Sequence, residues 1–72
     1  MKIGQYYSGK GKSIFRVTKL NRWTFNATGY NVFGAWKENK EFGDIDRYTI
    51  DDRLEEDDPR VIKLKEKEEA MK

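Results

Sequence analysis

Every aromatic side chain in this sequence lies before residue 49: Tyr6, Tyr7, Phe15, Trp23, Phe25, Tyr30, Phe33, Trp36, Phe42 and Tyr48. That confinement constrains the fold more than any other feature. A chain of 72 residues buries only about 60% of the surface its unfolded form exposes, so its core is marginal. Domains of this size usually add disulfides or a structural metal. With neither cysteine nor histidine, this chain can form no disulfide and no Cys/His-ligated zinc site. Dense aromatic packing is the remaining route, with Ile3, Ile14, Val17, Leu20, Val32, Ile45 and Ile50 as filler.

The segments that carry the rings read as short strands. Residues 1–7 form one, and Ser8 to Lys12 is a Gly-rich hairpin loop. Residues 13–20 (SIFRVTKL) are rich in β-branched and aromatic types. Asn21-Arg22 is a turn before an extended run from Trp23 to Phe25, and residues 26–29 (NATG) read as a turn or bulge. Residues 30–36 (YNVFGAW) alternate as a strand with Gly34 at a bend. Lys37 to Gly43 reads as a charged loop and 45–50 (IDRYTI) as the next strand. The expected architecture is mainly β: a small SH3-like antiparallel barrel or curved sheet with a C-terminal helix.

Composition divides the chain into a β-domain over 1–50 and a charged helical extension over 51–72, packed on it or free. Asp51 and Asp52 open a short helical turn through Leu54 in this reading. Asp58-Pro59 is a helix start, with Asp at the N-cap and Pro at the first helical position. Val61, Ile62, Leu64 and Met71 supply a thin apolar stripe. A final strand over Arg60–Lys65 is the alternative, supported by its β-branched pair.

Charge is divided too. Residues 1–40 hold eight Lys/Arg and one acid, a net +7, and residues 41–72 hold seven Lys/Arg and twelve acids, a net −5. Basic residues interleaved with aromatics suit nucleic acid, because cations neutralise phosphates and ring faces stack on unpaired bases. The residues of that pattern are Lys10, Lys12, Lys19, Arg22, Trp23, Tyr30 and Lys37. Against it stands the plainer reading that the rings fill the core and the lysines keep the surface soluble.

Motifs for catalysis are weak. Gly4 to Gly11 (GQYYSGKG) approaches the phosphate-loop pattern, but Gly11 stands where the magnesium-binding hydroxyl is needed, and no helix pattern follows. Asp44 and Asp46 share a strand face, yet no calcium-loop spacing surrounds them. No catalytic, cofactor or metal residue is assigned, and an enzyme is not expected. No apolar run approaches the roughly 18 residues of a membrane span, and the opening segment lacks a signal peptide's apolar stretch. A cytoplasmic location without membrane partners is the expectation.

The opening MKIGQYYSGKGKSIFRVTKL, the central YNVFGAW and the closing DRYTIDDRLEEDDPRVIKLKEKEEAMK together resemble the small accessory proteins of bacteriophages. The resemblance lies in composition and element order and transfers no residue roles. It implies a protein that binds a host or viral macromolecule, in the host cytoplasm. The leading expectation is thus a non-enzymatic binding protein, a monomer or weak homodimer, acting on a protein partner of the nucleic-acid machinery. Tyr6, Tyr7 and Trp36 would be exposed anchors, with Arg16 and Arg22 supplying directional hydrogen bonds. Direct DNA or RNA binding by the basic half is the alternative.

Overall fold

The computed structural model describes residues 1–45 and 50–71. Most of the strand expected over 45–50, with Asp46 and Tyr48, lies outside the described residues, as does Lys72. The elements are β1 (Tyr6–Gly9), β2 (Ile14–Leu20), β3 (Thr24–Tyr30), β4 (Trp36–Asp44), β5 (Ile50–Leu54) and α1 (Pro59–Ala70). The strands form one antiparallel sheet in the order β4-β3-β2-β1-β5. Of the two forms expected, this is the open curved sheet: β4 and β5 stand at its edges and do not pair among the described residues.

The curvature has local causes. Register shifts interrupt the β1/β5, β2/β3 and β3/β4 ladders, and each such irregularity bends and twists the strand that carries it. Gly29 pairs with Phe15 where the β3 backbone runs tight against β2. A Cβ there would sit 2.2 Å from the Ile14 carbonyl oxygen and 2.7 Å from Phe15 Cα, at φ +152°. This explains why Gly29, read as part of a turn, lies within β3: no Cβ fits there against the β2 backbone.

The sheet buries both faces. On the inner face Tyr7, Phe15, Val17, Phe25 and Ala27 form a core, with Met1, Phe42 and Ile45 against it. Phe42 on β4 reaches Phe15 on β2, with ring centroids 5.1 Å apart. Strands two positions apart in a flat sheet are about 10 Å apart, so the sheet curls around this face. On the outer face Tyr6 and Leu54 pack with Val61 and Leu64 of α1, joined by Ile14 and Trp36.

Two expectations about the strands are corrected. YNVFGAW is not a strand: residues 31–35 form the β3–β4 loop. Asn31 accepts hydrogen bonds at Oδ1 from the amides of Phe33 (2.9 Å) and Ala35 (3.0 Å), and Gly34 adopts φ +83°. That turn chemistry overrides the alternation. Residues 37–43 are not a loop but most of β4. Their charges mark an edge strand, where Lys and Glu discourage pairing with another chain. Residues 51–54 likewise belong to β5 rather than to a helical turn, so the sheet extends past residue 50.

The helix start is as read, and the final-strand alternative is not realised. Asp58 caps α1, its Oδ1 accepting from the Arg60 amide at 2.9 Å, with Pro59 in the first turn. Arg60 also grips both Asp58 oxygens at 3.0 Å, and its hydrogen bonds hold the Asp58 carboxyl below its ordinary pKa. The extension is packed on the sheet, not free. Val61 and Leu64 are fully buried, whereas Ile62 and Met71 are exposed. One turn beyond Leu64 on the same stripe, Glu68 accepts two hydrogen bonds from Arg16, at 2.5 and 2.7 Å. No described helix is long and apolar enough to cross a membrane.

Candidate nucleic-acid interface

Two loops lie side by side at one end of the sheet. The β1–β2 loop is closed by Ser13, whose hydroxyl donates to the Lys10 carbonyl at 2.7 Å. The Lys12 amide donates to the Val32 carbonyl at 3.0 Å, which ties this loop to the β3–β4 loop. The Lys12 stem runs along Gly34, where a Cβ would come within 3.2 Å of its Cδ. The tight Asn31-centred turn raises Phe33 to the crest, where it is 84% exposed. A phenyl ring so presented contributes nothing to the core and leaves its face open to a planar partner.

The β3–β4 loop forms a ridge between two clefts. One, of about 560 Å³, is lined by Phe33, Phe42, Lys37, Lys40 and Glu41. Glu41 accepts a long hydrogen bond from the Thr24 hydroxyl at 3.4 Å. The other, of about 240 Å³, has Ile14 and Tyr30 as apolar lining and Lys12, Arg60 and Lys63 as cations. Lys12, Lys37, Lys40 and Lys63 are not ion-paired with any described residue, whereas Arg60 is paired with Asp58. Tyr30 is fixed by Trp36, which meets it edge-on at 5.2 Å and 79°. Among the described residues no group of three or more carboxylates gathers to hold a metal ion.

The expected site residues divide three ways. Tyr6 and Tyr7 are not exposed anchors: each is only 6% exposed, Tyr6 under the helix and Tyr7 in the inner core. The reason is that adjacent strand residues point to opposite faces, and here both faces are covered. Arg16 is held by Glu68, and Trp36 is half-buried against the helix cluster. Lys10, Lys12, Tyr30 and Lys37 come together at the loop end. Lys19, Arg22 and Trp23 lie at the opposite end, around the β2–β3 turn. There Trp23 is 65% exposed, with the Arg22 guanidinium 5.0 Å from its ring centre.

Sequence reasoning counted Lys40 among the interleaved basic residues of 1–40 and Phe33 among the core rings, which its 84% exposure corrects, and it missed Arg60 and Lys63. The Asn31 and Gly34 pair flanking Phe33 was the available signal for an exposed crest. Nothing local could bring Arg60 and Lys63 to this end, because their placement depends on how α1 docks. Compared with protein-family models, curated proteins and solved structures, the chain matches none.

Proposed function

We propose that this chain is a small non-enzymatic protein that binds single-stranded nucleic acid at the loop end of its sheet. The observation that carries the reading is Phe33, 84% exposed on the wall of a cleft lined with Lys37 and Lys40 and next to a second cleft lined with Lys12 and Lys63. Exposed rings stack on unpaired bases of any sequence, and lysines track the phosphates beside them. A protein-partner role built on Tyr6, Tyr7 and Arg16 is less well supported, since all three serve the fold. A second reading keeps a protein partner at the opposite end, where Trp23, Ile3 and Leu20 are exposed.

Titration of the protein into a labelled oligothymidylate at 50 and 200 mM salt tests the first reading. With four phosphate contacts the log–log salt slope is about −3, so affinity should fall roughly fifty-fold over that range. Phe33→Ala should weaken binding about 5- to 150-fold, the equivalent of about 1–3 kcal/mol of stacking, without moving the thermal midpoint. No binding at 50 mM salt, or an unchanged affinity for Phe33→Ala, would reject the reading.

A further inference from the structure

We infer that the nucleic-acid strand crosses the Asn31–Ala35 ridge, so that helix α1 forms the second wall of the site. This rests on the reading proposed above and adds a path and a footprint to it. A strand lying wholly in the larger cleft would meet Lys37 and Lys40 and leave the helix out. The ridge argues otherwise. Phe33 lines the larger cleft while its chain neighbour Gly34 lines the smaller, so the 84% exposed ring stands next to both. A base stacked on that ring can place one flanking phosphate in the larger cleft and the other past Gly34 in the smaller. One side offers Lys37 and Lys40, and the other offers Lys12 from the β1–β2 loop and Lys63 from α1. The smaller cleft is lined by Ile14 and Tyr30 as well, surfaces that suit a sugar or a second base.

Arg60 has a different part. Its Nε and one terminal nitrogen are engaged by Asp58, so its charge is largely compensated. Lys12 and Lys63 therefore carry the phosphate contact on the helix side. Because those two cations come from segments far apart in the chain, the complete site exists only while α1 is docked. Oligonucleotide binding should then also raise the thermal midpoint.

The test compares two double variants of the full chain, Lys12→Gln/Lys63→Gln and Lys37→Gln/Lys40→Gln, on an oligothymidylate of about eight nucleotides, within the site size of a small β-domain. All four lysines are exposed, so both variants should keep the parent midpoint. Each pair should reduce the salt slope by about 1.4 and lower affinity at 0.1 M salt roughly 25-fold, converging with the parent near 1 M. If only the Lys37/Lys40 pair responds, the strand does not cross the ridge, while the binding reading survives. If the unaltered protein binds no oligonucleotide at low salt, both fall together.

Discussion

The indole of Trp36 meets Tyr30 edge-on and joins the helix cluster, yet its buried Nε1–H has no acceptor among the described residues. A buried donor without a partner costs about 1–3 kcal/mol. Trp36→Phe removes that donor together with part of the ring, and the two effects oppose each other. The expected net change is within about 1 kcal/mol, a midpoint shift below roughly 8 °C by thermal denaturation. A loss of 3 kcal/mol or more would mean that the indole N–H has an acceptor after all. The same residue shows what was legible in the chain. Residue type marked Trp36 as a contact-making ring and led to its reading as an exposed anchor; that it packs against the molecule's own helix cluster was not legible. Tyr6 and Tyr7 were misjudged for the same reason: exposure belongs to a face, and the face is set by what covers it.

At the scale of elements, α1 is held by little apolar surface. Val61 and Leu64 are its buried residues, and the third position of their stripe is Glu68, clasping Arg16 through two hydrogen bonds. The Glu68 contact raises the Arg16 pKa further above its ordinary value. Loss of that stabilisation would begin only at pH values above the ordinary arginine range, so the pair adds no pH dependence through Arg16 near neutrality. Both side chains are roughly a quarter exposed, which moderates the gain. Glu68→Gln should cost about 1–2 kcal/mol, or roughly 5–15 °C of thermal midpoint. Glu66→Gln, on an exposed position of the same helix, should change almost nothing. Equal shifts in the two variants would show that the clasp contributes no more than general surface charge. The helix start was legible because Asp58-Pro59 acts locally. Strand β4 was not, because an edge strand carries the same charged residues as a loop.

For the whole molecule, one sheet has two cores, and the C-terminal extension closes one of them. The folded chain exposes 4894 Å², close to the roughly 4,700 Å² that size scaling gives for this mass, so little burial is in reserve. A chain ending at Asp58 would lose Val61 and Leu64 and uncover Tyr6 and Leu54. Its midpoint should fall by more than about 10 °C, or its cooperative transition should vanish, in calorimetry. An unchanged midpoint would mean that the sheet is self-sufficient and that α1 is an accessory.

The sequence by itself determined the mainly β character, the burial of Phe15, Val17 and Phe25, the helix cap at Asp58 and the basic character of residues 1–40. These follow from local chemistry: ring size, β-branching, capping geometry and charge. Only the tertiary structure decided that Arg16 meets Glu68, that Lys12 and Lys63 line one cleft, and that Lys10 and Lys12 are separated from Lys19 and Arg22 by the length of a strand. Those relations join residues as many as 52 positions apart. They depend on the curl of the sheet and the docking of the helix, which no short stretch of sequence encodes.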